Sequence, residues 1–236
     1  MKKHLSVLYL SVRSTLLPVL ITLVLMAAGE ALAFWLAMRG GGMPLSEVWT
    51  KSRIPLIAAA ALLAVCFFHF CVGSGGAQSN TLLRLRVKER TVTLWWWLSA
   101  AGSLALLWAA QTIVAVLLCV WYGAATDPGF VNPQTTFLAF YQVSFLHGLL
   151  PLDDVAVWIR NALLLAALSL CIARVPSQLR SGQKPAAAGT LAMLVIVMFP
   201  AVLGRINSAM VISTVAFFVL FWAFWKLFDT EEVSAA

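Results

Sequence analysis

Charge is scarce in this chain: of 236 residues only 11% are Asp, Glu, Lys or Arg, and nine of them are acidic. Clustered carboxylates for acid–base chemistry or for hard metal ions are therefore not expected. No GxxxxGK[ST] stretch occurs, so the chain has no phosphate loop with which to hold a nucleotide. His4, His69 and His147 are too scattered to share a metal. Cys66, Cys71, Cys119 and Cys171 all fall inside apolar runs, where cysteine serves as a small hydrophobe. Cys66 and Cys71 are five apart and point to different sides of a helix, a poor ligand pair. Gly73-Ser74-Gly75 resembles a nucleophile elbow only in two glycines around a serine. No catalytic residue is expected. Polar stretches long enough to fold alone are missing too, and so are internal repeats.

What remains is hydrocarbon. Hydrophobic residues make up 62% and mean hydropathy is +0.93. An all-α integral membrane protein is expected, a single transmembrane domain over 1–236. The net charge of +7 does not point to nucleic acid, because the cations lie in short loops between apolar runs. There they would orient the spans and meet anionic lipid heads. The basic start MKKHLSVLYLSVRS is like a signal n-region, but the apolar run after it is too long for a signal h-region. It is read as a surface segment, 1–13, before a retained first span.

Six spans are expected, at about 14–38, 54–72, 94–122, 155–173, 186–203 and 210–228. Residues 136–150 are short and broken by Gln142, Ser144, His147 and Gly148, then stopped by Pro151. They read as a re-entrant or interfacial helix on the outer side. Charge bias agrees with this count. Eleven of the 16 basic residues then fall inside and four outside, with Arg160 within a span. Both termini would be cytoplasmic, in the plasma membrane.

Two intramembrane charges stand out. Glu30 lies in the outer half of the first span and Arg160 about five residues into the fourth. Their depths are within about a turn of each other. The two readings are a structural ion pair and a place in a transport path or proton relay.

The longest polar interruption is SGGAQSNTLLRLRVKERTVTLWWW, residues 74–97. Ser79 or Asn80 can cap a short helix carrying Leu82, Leu83, Leu85 and Val87 among Arg84, Arg86, Lys88 and Arg90, with Glu89 between the last two. Trp95, Trp96 and Trp97 follow at the expected membrane interface. This basic, half-apolar helix is either a loop bound to anionic lipid or a docking helix for a soluble partner.

Two spans, then TLLRLRVKERTVTLWW, then a long third span, resembles the permease subunits of ABC-type exporters of the ABC-2 class. In that family a coupling helix, often reading L-P-V-S-R-R-E, precedes the third span. Here Leu83 to Arg90 correspond, with Val87, Lys88, Glu89 and Arg90 in the V-S-R-R-E-like positions and Arg86 where proline is frequent. An amphipathic N-terminal helix and six spans also match in layout. The family's outer re-entrant element usually lies between the fifth and sixth spans, whereas 136–150 comes before the fourth. The resemblance implies a permease half paired with an identical or similar chain. Two ATP-binding cassette subunits, carrying ATP and magnesium, would dock on Asn80–Arg90, and no cofactor would sit on this chain. An amphipathic, lipidic or peptide substrate would leave the cytoplasm between the two permease chains. The alternatives are an ion-coupled transporter or channel using Glu30 and Arg160, and a membrane scaffold subunit without transport.

Overall fold

The computed structural model describes residues 2–39, 42–74, 89–126, 133–152, 154–180, 186–198 and 206–229. All nine described elements are α-helices: α1 (Lys2–Met38), α2 (Leu45–Lys51), α3 (Ile54–Ser74), α4 (Glu89–Ala125), α5 (Pro133–Gln142), α6 (Ser144–Leu149), α7 (Val155–Arg180), α8 (Ala186–Met198) and α9 (Ile206–Asp229). Four contain segments long and apolar enough to cross a membrane: Ser6–Met38, Ile54–Val72, Arg90–Ala125 and Val155–Leu179.

The buried stripe of α1 explains its packing. Val7, Ser11, Thr15, Val19, Thr22, Met26, Glu30 and Phe34 recur every three or four residues and are buried. Leu17, Val24 and Leu25 on the other side are about two-thirds exposed. Polar groups thus turn inward and aliphatic ones outward, the arrangement that suits a hydrocarbon solvent. The inward hydroxyls bond within the helix, Thr15 Oγ1 to the Ser11 carbonyl at 2.9 Å and Thr22 Oγ1 to that of Pro18 at 2.8 Å. Each hydroxyl that faces the core is thereby hydrogen-bonded.

This changes the reading of residues 1–13. They were expected to lie apart from the first span, yet α1 runs unbroken for 37 residues. Val7 and Ser11 belong to the same buried stripe as the rest of α1, and no glycine or proline falls between Lys2 and Leu17 to end the helix. Similarly, α4 begins at Glu89 and α7 continues to Arg180, both beyond the spans expected at 94–122 and 155–173. The described part of the expected fifth span is the 13-residue α8; 199–205 lie outside the described residues.

Helix α7 is the hub, packed against α9, α4, α3 and α8. Leu164, Ala167, Leu168, Ser169 and Leu170 have no exposed surface. Helix α1 lies to one side, against α3 and α4.

One end of the bundle is closed by three short helices. Between the first two expected spans, residues 39–53 contain α2. Pro44, with φ −64°, leads into α2, and Arg53, at φ 53°, turns the chain sharply into α3. Pro55 then sits in the first turn of α3, where a missing N–H costs nothing. Trp49 on α2 is buried against Phe34 and Phe145, with ring centroids 5.5 and 6.3 Å away. Residues 136–150 divide at Val143 into α5 and α6, of 10 and 6 residues, each far too short to cross. Tyr122 Oη donates to the Met43 carbonyl at 2.6 Å and ties the end of α4 to the approach to α2. Replacing Tyr122 by Phe is expected to lower stability by about 1 kcal/mol, read as a small drop in the unfolding midpoint in detergent.

Candidate functional site: buried polar pairs beside an apolar pocket

Glu30 on α1 and Gln111 on α4 occupy facing buried stripes. Glu30 is 0% exposed and Gln111 4%. Gln111 Nε2 donates to Glu30 Oε2 at 3.0 Å. The other oxygens, Glu30 Oε1 and Gln111 Oε1, are buried and have no hydrogen-bond partner among the described residues. Such a buried pair is costly to keep, and one hydrogen bond offsets only part of the cost.

Gln111 also forms part of the wall of a partly open pocket of about 520 Å³. The pocket lies between α3, α4, α7 and α8, and Phe145 and Leu149 of α6 close it at one end. Alanines at 58 and 59 leave the space, and Leu62, Leu104 and Leu165 supply apolar walls. Trp108 belongs to the same wall, its indole N–H donating to the Leu149 carbonyl at 3.1 Å.

A second polar group stands at the α6–α7 junction. Arg160, 3% exposed, donates through Nε and Nη2 to Asn161 Oδ1 at 3.2 and 3.0 Å. Asn161 Nδ2 in turn donates to the Gly148 carbonyl at 2.8 Å. The last carbonyls of a helix have no partner within it. Asn161 and Trp108 take two of them, Gly148 and Leu149, and so hold α6 down on α7 and α4.

Glu30 and Arg160 are therefore both buried, but the structure does not bring them together. Each has its own neutral amide partner; an ion pair forms elsewhere, between Lys51 and Glu47 on the exposed face of α2, at 2.9 Å. Helix rotation decides this. Similar depth places two residues at one level, but α1 packs on α3 and α4 whereas Arg160 belongs to the hub helix α7. Arg174, near the C-terminal end of α7, is 8% exposed. Its Nη1 donates to the Ala223 carbonyl of α9 at 3.1 Å.

Of the expected docking residues, Asn80, Leu82, Leu83, Arg84, Leu85, Arg86, Val87 and Lys88 lie outside the described residues. Glu89 and Arg90 form the first turn of α4. No group of three or more His, Cys, Asp or Glu that could hold a metal occurs among the described residues. Sequence reasoning did not single out Gln111, Trp108 or Asn161. The available signal was simple: Gln111 and Asn161 are uncharged amides inside long apolar runs. No protein-family model, curated protein or solved structure matches the chain.

Proposed function

We propose that this chain is the transmembrane permease subunit of an ATP-driven exporter of the ABC-2 class, a multi-pass protein of the plasma membrane. The observation that carries the reading is the basic stretch LRLRVKER, set between two long apolar helices, α3 and α4, in a chain with no nucleotide-binding loop of its own. Hydrolysis then belongs to separate ATP-binding cassette subunits that dock on residues 80–90 from the cytoplasm. On this reading α8 and α9, with the residues joining them, supply the fifth and sixth crossings, and both termini are cytoplasmic. A second permease chain, identical or similar, completes the path for an amphipathic, lipidic or peptide substrate.

A second reading is an ion-coupled transporter. It is favoured by the buried carboxyl of Glu30 with an oxygen that finds no partner among the described residues.

Photocrosslinking separates them. A photoreactive amino acid at Leu85 is expected to form an adduct with an ATP-binding subunit in native membranes. Adducts with lipid alone would sink the exporter reading and turn attention to Glu30.

A further inference from the structure

The contact between Glu30 and Gln111 holds more acceptors than it has donors for. Gln111 Nε2 donates to Glu30 Oε2 at 3.0 Å. Glu30 Oε1 and Gln111 Oε1 each share a carbon with an atom of that hydrogen bond. Both are buried and have no partner among the described residues. An ionised carboxylate only accepts, and so does an amide oxygen, so the two cannot satisfy each other while Glu30 is charged. One proton on Glu30 Oε1 turns it into a donor. The same proton removes a charge that an apolar interior opposes strongly.

Among the described residues, no cation stands against Glu30 to hold it ionised. From α3, Ile57 packs beside Gly29. Cys66, His69 and Cys71 of that helix lie nine or more residues farther along, roughly two and a half turns or beyond. On α4, Cys119 and Tyr122 are eight and eleven residues past Gln111, and Glu89 and Arg90 are at the opposite end of the helix. On α2, Glu47 pairs with Lys51 on the exposed face. Arg53, between α2 and α3, is exposed, and Arg39 stacks on Trp35 at 3.6 Å from the ring centroid. Arg160 is committed to Asn161.

We infer that Glu30 is a proton-binding site, held as the neutral acid in the folded protein, with Oε1–H donating to Gln111 Oε1 while Gln111 Nε2–H donates to Glu30 Oε2. Acid and amide then close a ring of two hydrogen bonds that satisfies both remaining oxygens and fastens α1 to α4. Loss of the proton leaves a buried carboxylate oxygen facing an amide oxygen, with one hydrogen bond between the helices. Neither the exporter reading nor the ion-coupled one is needed for this site.

Infrared spectroscopy of the full-length chain in dodecyl maltoside, a detergent without a carbonyl, reads the acid directly. At neutral pH the native chain is expected to show the carbonyl stretch of a protonated carboxyl. That band should move when the glutamates are isotope-labelled and be missing from Glu30→Gln. The glutamine variant is expected to fold, because its amide N–H replaces the O–H as donor to Gln111 Oε1. Gln111→Leu should shift the band upward, to the frequency of a carboxyl that donates no hydrogen bond. Relative to Glu30→Gln, the folding constant of the native chain is expected to fall about tenfold per unit of rising pH between about pH 5 and 7, because over that range the unfolded chain has released a proton that the folded chain keeps. Absence of a protonated glutamate band from the native chain overturns the inference. So does a band that Gln111→Leu leaves unmoved, or a stability difference from Glu30→Gln that does not vary with pH. Should Gln111→Leu not fold, the labelled native band and the pH slope still decide the matter.

Discussion

Asn161→Leu is expected to cost about 2–4 kcal/mol of stability, among the largest losses that a single substitution in this bundle should produce. The change deletes two things at once. Arg160 loses the acceptor for both its Nε and Nη2 donors, and it is almost fully buried, so these charged donors are left unpaired although the carboxylate of Asp154 still attracts the guanidinium. The Gly148 carbonyl at the end of α6 loses its donor. Asn161→Asp separates the two effects, because a carboxylate still accepts from Arg160 but cannot donate to Gly148. It should lose less than the leucine variant. The double variant Arg160→Met, Asn161→Leu removes the buried charge together with its acceptor and should recover much of the loss, since apolar replacement of a whole buried polar group is often tolerated. Unfolding midpoints of the four proteins in one detergent give the comparison. A loss below about 1 kcal/mol for Asn161→Leu would mean that the network does not hold α6 to α7.

The helical class and four long apolar helices were legible from hydropathy, because any run of some twenty apolar residues bounded by polar ones reads the same way wherever it packs. The interruption of 136–150 was legible too: polar residues break the apolar stretch, Pro151 stops it, and two short helices result. What sequence could not supply was rotation about each helix axis. Glu30 and Arg160 matched in depth, yet Glu30 lies on the α1 stripe that faces Gln111, and Arg160 turns to Asn161. Nor could sequence show that Arg174 is buried on α7, its guanidinium donating to the Ala223 carbonyl of α9. Helix α2 was missed because seven residues give too little period to read. Its formation rests on burying Leu45, Val48 and Trp49 against distant elements. The pocket needs four helices to define it, and only Gln111 among its walls carries a side-chain amide that a sequence could flag.

Changing Arg84, Arg86, Lys88 and Arg90 to serine is expected to have the largest functional effect. The four cations lie within seven residues, from the stretch after α3 to the first turn of α4. Docking of a soluble subunit through such a segment would combine charge attraction with burial of Leu82, Leu83, Leu85 and Val87. Removing the charges should weaken it enough that the subunit dissociates during purification, and raised salt should weaken the native contact in the same direction. Arg90 belongs to the first turn of α4, so a variant with only Arg84, Arg86 and Lys88 changed guards against a defect in the helix itself.

The most direct measurement is purification of the chain from its native membrane in mild detergent, followed by identification of what comes with it. The account predicts an ATP-binding cassette subunit in stoichiometric amount with the native chain, and its absence from both serine variants while they remain folded and monodisperse. A folded, monodisperse native chain that carries no ATPase would contradict the exporter assignment.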